Sequence, residues 1–264
     1  MINTKDLFSL EGRVAIVTGG RGMYGASISL GLCEMGATVV ISSRNGEKCE
    51  EFAKELREKG HSAYGMSLDL NSDASIEAFV QAVVERFGRI DVLVNNAVDR
   101  SNLTGFMNAT REKLQDSMST NLNGQIVLSK TVAEHMKKQG KGSIINVSSM
   151  RGLDSPHFPF YAPEARDTGV NYTTEKWAMI GLTKYMAGLL GEHHIRVNSI
   201  APGGYNTDMS RINPDFIKTY IDNCPLHCWA TEDDIKGPIA FLASDASNYV
   251  TGETLVMDGG WTIW

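Results

Sequence analysis

The sequence predicts a doubly wound α/β fold, with a parallel sheet of about seven strands and helices on both faces. Three observations carry that prediction. Short, nearly all-apolar runs rich in β-branched residues recur along the chain. Amphipathic stretches of helical period separate them, and no linker, repeat or low-complexity tract divides the 264 residues. Continuous apolar runs are what strands covered on both faces require. Strand–helix repetition then builds a parallel sheet through right-handed crossovers. Residues 1–264 read as one domain, long enough for a sizeable core.

The predicted strands, in order, are 14–18 (VAIVT), 38–42 (TVVIS), 62–68 (SAYGMSL), 90–95 (IDVLVN), 143–147 (SIINV), 195–200 (IRVNSI) and 254–257 (TLVM). Helical period marks 45–59, 73–87, 111–138 and 171–192. Two segments break the rhythm. Residues 150–171 hold three of the seven prolines and three aromatics, and 205–229 is far longer than a strand–helix connection needs. Both follow predicted strand ends, where open α/β sheets bind their ligands. Both are expected to cover an active site.

Composition narrows the function classes. With 25 basic against 31 acidic side chains the formal net charge is −6, so no positive field exists to attract nucleic acid. No run of 18 apolar residues spans a membrane, and the opening MINTKDLFSLEGR lacks the basic-then-apolar pattern of a signal peptide. Cys33, Cys49, Cys224 and Cys228 are too few for a disulfide framework. The expectation is a soluble globular protein of a reducing compartment, read as cytoplasmic.

Residues 18–25 read TGGRGMYG, directly after the first predicted strand. Gly20, Gly22 and Gly25 give G-x-G-x-x-G: the first for a tight turn, the second for backbone approach to a pyrophosphate, the third for close helix–strand packing. Phosphates then sit on a helix N-terminus, where amide donors and the dipole favour negative charge. In this context the turn predicts a Rossmann-type dinucleotide site at Gly19, Arg21, Gly22, Met23 and Tyr24. An NAD site usually places a carboxylate at the end of the second strand. Here that place reads ISSRN, and Ser43 with Arg44 suits a 2′-phosphate, Arg21 adding a second cation. NADP(H) is favoured and NAD(H) remains possible; the alternative for Arg44 is an ordinary solvated residue opening a helix.

Tyr172 and Lys176 form Y-x-x-x-K, which puts phenol and ammonium on one helix face. A neighbouring ammonium favours phenolate and brings the tyrosine from about 10 towards the range of a working acid/base. Ser149, closing a buried run, is placed to donate to a substrate oxygen. Asn121, inside 111–138, is placed to anchor a water that links Lys176 to solvent.

Along essentially its whole length the sequence now resembles the single-domain branch of the short-chain dehydrogenase/reductase family. The matching pieces are the glycine turn, Asp69-Leu70, Asn95-Asn96-Ala97, Asn121 in TNLNG, Ser149 in NVSS, Tyr172 with Lys176, Pro202-Gly203 with Thr207, and Asp258-Gly259-Gly260. The resemblance implies that Tyr172 is the general acid/base, that Lys176 lowers its pKa and binds the nicotinamide ribose, that Ser149 orients the substrate oxygen and that Asn121 completes a proton relay. It implies Asp69 and Leu70 against the adenine, Asn96 and Ala97 beside the adenosine half, and Thr207 on the carboxamide. It also implies a homotetramer built on 111–138, 171–192 and the terminal GGWTIW, which would cover exposed Trp261 and Trp264.

Three features depart from the family pattern. Met23 stands where a glycine is usual, and the spacing Thr18-Gly19, Gly22, Gly25 fits the sugar-nucleotide epimerase and dehydratase branch. Val98 replaces the glycine of N-N-A-G. Ser149 and Tyr172 lie 23 residues apart, about ten more than the family's interval; members acting on sugars and polysaccharides look similar here. The extra residues carry Arg151, His157 and Arg166, which with Arg100 would make the pocket mouth electropositive, although Asp154, Glu164 and Asp167 oppose this. Arg151 is the candidate substrate contact. Cys224-Pro-Leu-His227-Cys228 packs three ligand types into five residues with no second cluster, so it reads as a turn and no metal is expected. The resulting reading is an NAD(P)-dependent oxidoreductase that interconverts a secondary alcohol and a ketone on a sugar, polyol or sugar acid. The alternatives are a 3-oxoacyl-thioester reductase, a sugar epimerase or dehydratase, and a non-catalytic cofactor-sensing scaffold.

Overall fold

The computed structural model describes residues 2–161, 167, 169–205 and 213–263. In chain order the elements are α1 (Thr4–Leu7), β1 (Val14–Thr18), α2 (Met23–Glu34), β2 (Thr38–Ser43), α3 (Gly46–Glu58), β3 (Ala63–Ser67), α4 (Asp73–Phe87), β4 (Val92–Asn95), α5 (Arg111–Met118), α6 (Gly124–Gln139), β5 (Gly142–Val147), α7 (Val170–Leu190), β6 (Ile195–Pro202), α8 (Pro214–Asn223), α9 (Lys236–Ala243) and β7 (Thr254–Met257). The seven strands are parallel in the order β3-β2-β1-β4-β5-β6-β7. All seven predicted strands are present, each within two residues of its expected bounds.

The apolar runs are continuous because the central strands feed two cores. In β1, Ala15 and Val17 join one buried layer with side chains of α2, α3 and α9, such as Ile28, Leu56 and Ile239. Val14 and Ile16 point the other way, into a layer with Val80 of α4, Val132 of α6 and Met186 of α7. Period-2 side chains therefore have no polar face to offer. Helix ends follow local chemistry: Asn45, Ser72 and Thr110 each accept from a backbone N–H in the first turn of α3, α4 and α5, and Gly88 ends α4 in the left-handed region. Under the carboxyl ends of the central strands lies a buried polar chain. Asn95 donates to Ser129 at 2.8 Å and to Asn146 at 2.9 Å, and Asn146 donates to Thr183 at 2.8 Å. These bonds fix α6 and α7 against β4 and β5.

The segment 111–138 is not one helix. A π-helical turn, Ser119–Asn123, separates α5 from α6 and carries Asn121. Gly124 follows with the Leu70 carbonyl oxygen only 2.1 Å from where a Cβ would stand, so α6 seats directly on the loop after β3. π turns of this kind re-aim a side chain at functional sites.

Trp261 is also corrected. It is 6% exposed within its own chain, stacked on Tyr220 at 4.2 Å with a 6° interplanar angle, so it does not require a partner subunit to cover it. Trp264 lies outside the described residues. Among the described residues no helix is long and apolar enough to cross a membrane.

Candidate active site

The strand order reverses between β1 and β4, and the crevice beyond their carboxyl ends is the ligand site that this topology creates. A cavity of about 440 Å³ there is lined by Gly19, Arg21, Gly22, Met23, Tyr24, Ser43, Asn96, Ala97, Ser149, Tyr172 and Lys176, among others. A second of about 150 Å³ adjoins it through Gly19, Ser43, Ala97 and Val98, and is lined also by Arg44, Asp69, Leu70 and Asp99. The expected cofactor residues thus converge, with Thr207 outside the described residues.

The glycine turn works differently from its sequence reading. The tight turn is made at Gly19 (φ +62), not at Gly20. Gly25 lies so close to Gly19 that a Cβ would stand 2.1 Å from the Gly19 carbonyl oxygen and 2.8 Å from Asn96 Nδ2. Gly22 is the N-cap of α2 and no side chain caps it. Met23 is the first helical residue, so its departure from glycine leaves the turn intact. The amide of Asn96 clamps the turn, donating to the carbonyls of Thr18 (2.9 Å) and Gly19 (3.2 Å), while Thr18 Oγ1 accepts from the N–H groups of Asn96 and Ala97. Uncapped amides at a helix N-terminus, facing a cavity of this size, fit a dinucleotide pyrophosphate.

In the adenosine half, Arg44 pairs with Asp99 at 3.3 Å across the smaller cavity. Hydrogen bonds from Ser101 hold the Asp99 carboxyl below the usual carboxylate range; partial burial opposes this and the Arg44 charge adds to it.

Ser149 and Lys176 meet around Tyr172, while Asn121 lies one layer behind them. Burial alone would raise its phenol, but the Lys176 and Arg100 charges and hydrogen bonds with Ser149 and Arg100 bring it below the ordinary tyrosine range. The Arg100 guanidinium carbon lies 5.3 Å from the Tyr172 ring centroid and Lys176 Nζ 5.5 Å. Lys176 Nζ donates to the Val147 carbonyl at 2.7 Å. Burial and the Arg100 charge push the ammonium down, while Tyr172 and Glu175 pull it up. Asn121 is held from three sides: its Oδ1 accepts from Asp99 N (2.7 Å), and its Nδ2 donates to Asp99 O and to Glu175 Oε2 (both 2.9 Å).

Glu175 was missed from the sequence, yet it is buried with Oε1 unpaired. The signal was available, because Asn171, Glu175, Met179 and Thr183 form the i, i+4 core stripe of α7. Tyr205 was also missed; it stacks on Tyr24 at 4.4 Å and lines the larger cavity.

Arg151 is not among the residues lining the larger cavity; its guanidinium donates to Ser155 O (3.1 Å) and Tyr161 Oη (2.8 Å), bracing the segment that follows Ser149. Asp167 is likewise tied down, accepting from Met107 N and Asn108 Nδ2. Phe160 meets Trp261 edge-on, Tyr161 meets Phe216 of α8, and Tyr220 packs on Trp229. Cys224 Sγ donates to Gly259 O at 3.2 Å, and among the described residues no group of three or more His, Cys, Asp or Glu could hold a metal. Arg166 and Glu164 lie outside the described residues.

A dinucleotide crevice at the switch point, with a tyrosine–lysine pair at its floor, defines a nicotinamide-dependent oxidoreductase of the doubly wound class. Residues 21–262 match the family model described as Enoyl-(Acyl carrier protein) reductase. The chain is 34% identical to the 2-dehydro-3-deoxy-D-gluconate 5-dehydrogenase of Dickeya dadantii, covering 97% of this chain and 98% of the relative. It is 36% identical to a 3-oxoacyl-[acyl-carrier-protein] reductase of Vibrio cholerae, over 96% and 98%. Among solved structures, a gluconate 5-dehydrogenase from Burkholderia cenocepacia in complex with NADP and tartrate superposes with a TM-score of 0.89 at 34% identity, covering 99% of this chain and all of that one. The chain belongs to the short-chain dehydrogenase/reductase family, and it is an NAD(P)-dependent oxidoreductase acting on CH–OH groups.

Proposed function

We propose that the protein oxidises a secondary alcohol, or reduces the corresponding ketone, on a sugar acid, with NADP(H) as the favoured cofactor. The observation that carries this reading is Arg100 beside Tyr172 in the larger cavity. One cation at the acid/base lowers the phenol and also offers charge-assisted hydrogen bonds to a carboxylate. Relatives acting on gluconate and 2-dehydro-3-deoxy-D-gluconate support the substrate class.

When bound, the nicotinamide exchanges hydride with the carbinol carbon. Tyr172 exchanges the proton with the substrate oxygen and Ser149 donates to that oxygen. Lys176, anchored on Val147 O, holds the phenol in its low range, and Asn121 fixes the inner end of the relay. Arg21, Ser43 and Arg44 supply the 2′-phosphate side; Gly19, Gly22, Met23 and Tyr24 line the pyrophosphate turn; Asp69, Leu70, Asn96 and Ala97 wall the adenosine half. The described parts of 150–171 and 205–229 are read as a cover for the substrate end, a role supported by the aromatic contacts among Phe160, Phe216, Tyr220 and Trp261.

The test is steady-state kinetics with NADP⁺ on a panel of sugar acids, matched neutral polyols and a 3-oxoacyl thioester. In Arg100→Ala we expect KM for carboxylate substrates to rise about tenfold or more, the scale of a lost charged hydrogen bond, with KM for polyols unchanged. The acid limb of kcat/KM for oxidation also moves to higher pH, because the phenolate loses a stabilising charge. Equal KM changes for acids and polyols, or turnover of the thioester alone, would reject the sugar-acid reading.

We also infer a cytoplasmic homotetramer. Its support is the set of four free cysteines, three of them buried, and the exposed stripe Trp177, Tyr185 and Leu189 on α7, 51–71% open to solvent. Light scattering should give about four times the 28.9 kDa chain mass; a monomer at micromolar concentration would end the tetramer reading.

A further inference from the structure

The end of β2 lacks the carboxylate that an unphosphorylated dinucleotide site usually carries, and offers Ser43 and Arg44 instead. The fold supplies a carboxylate from elsewhere. Strands β2 and β4 flank β1, so the loops that follow them face each other across the glycine turn. Asp99 comes from the β4 side, lines the same 150 Å³ cavity as Arg44, Asp69 and Leu70, and holds the Arg44 guanidinium at 3.3 Å. We propose that Asp99 is a specificity-determining residue: it competes with the adenosine 2′-phosphate for Arg44 and serves the free ribose hydroxyl when that phosphate is absent.

Geometry fixes the Asp99 backbone and one carboxylate oxygen and presents the other to Arg44. Its backbone N–H and carbonyl are both engaged by Asn121 (2.7 and 2.9 Å), and Oδ1 accepts from Ser101 N at 2.8 Å. Oδ2 is the atom presented to Arg44. The Arg44 side chain is 69% exposed and free to swing, whereas that of Asp99 is 22% exposed and fixed by its loop. An arriving 2′-phosphate takes the mobile cation and leaves the fixed carboxylate facing a dianion, which opposes binding. A ribose hydroxyl instead donates to that carboxylate, the role the usual β2 carboxylate plays. The site then accepts both cofactors, and its preference is a balance between two side chains from different strands.

This inference rests on the cofactor reading above, and one experiment separates the two. NADPH and NADH are titrated by fluorescence into the full-length protein, into Asp99→Asn, into Arg44→Ala and into the double variant. In Asp99→Asn, NADPH should bind about fivefold tighter or better and NADH about threefold weaker, scales set by one charge beside an exposed pair. The gain for NADPH should shrink in the Arg44→Ala background, the mark of coupling between the two positions. Equal changes for the two nucleotides, or an unchanged ratio in a wild-type protein that binds both, would overturn the competitor role and leave the cofactor site standing. Wild-type protein that binds neither nucleotide would overturn both. Asparagine keeps the backbone bonds and the acceptor for Ser101; Asp99→Ala, checked by thermal unfolding, repeats the test without any side-chain acceptor.

Discussion

Tyr172→Phe should lose about 10²- to 10⁴-fold in kcat, the range of a positioned general acid/base, while the Kd for NADPH stays within about threefold, since no direct bond to the pyrophosphate or 2′-phosphate side is removed. The argument is one of charge. The phenol lies near Lys176 and Arg100 and bonds to Ser149, and these together outweigh the burial that would otherwise push it up. Phenylalanine retains the ring and its packing and removes only the proton carrier. Pre-steady-state hydride transfer, read at the NADPH absorbance, locates the loss in chemistry rather than in binding. A variant with full kcat would show that the proton travels by another group. A cofactor-sensing scaffold would have no turnover to lose.

Gly25→Ala has the second large effect, and it acts on the cofactor. The new Cβ would stand 2.1 Å from the Gly19 carbonyl oxygen, with Asn96 Nδ2 at 2.8 Å. The nearest atom is backbone of the turn itself, so the turn must open or α2 must lift. Overpacking of this kind costs about 1–3 kcal/mol, a fall of about 3–10 °C in Tm for a chain of this length. Displaced phosphate-binding amides should weaken NADPH about tenfold or more, the scale of a lost charge-assisted hydrogen bond. Gly22→Ala is the matched control. There a Cβ would come no nearer than 3.4 Å to the Gly19 carbonyl oxygen. It should melt like the wild type and lose cofactor affinity alone, because its site faces the cavity. Equal melting and equal affinity for wild type and Gly25→Ala would contradict the close approach at Gly19.

Much of this was legible in the linear chain, for identifiable reasons. The strands announce themselves because central parallel strands are covered on both faces, and β1, β2, β4, β5 and β6 are buried along nearly their whole length. Tyr172 and Lys176 are readable because helical spacing is fixed. Contacts between loops were harder. Nothing local marks Asp99 as the partner of Arg44, 55 positions away, because their meeting depends on strand order rather than on spacing. The π turn at Asn121 was hidden for a related reason: periodicity over 111–138 continues through it, and what breaks the helix is the seat of Gly124 on Leu70. Trp261 misled because its residue type suggests a surface that a partner must cover, whereas it is absorbed by neighbours that the chain brings in from elsewhere.

The cofactor end of the crevice and the cover we propose for its other end are made of different material. The cofactor end is drawn largely in main chain: glycine amides, strand carbonyls and an asparagine that grips them. The proposed cover is side chain against side chain, with Phe160, Phe216, Tyr220, Trp229 and Trp261 drawn from three separate stretches of sequence and meeting ring to ring. Main chain is common to every amino acid, so the first end admits few alternatives, whereas rings can be exchanged and resettled one at a time. Descent with modification can therefore retune what this crevice admits without disturbing the hydride carrier it employs.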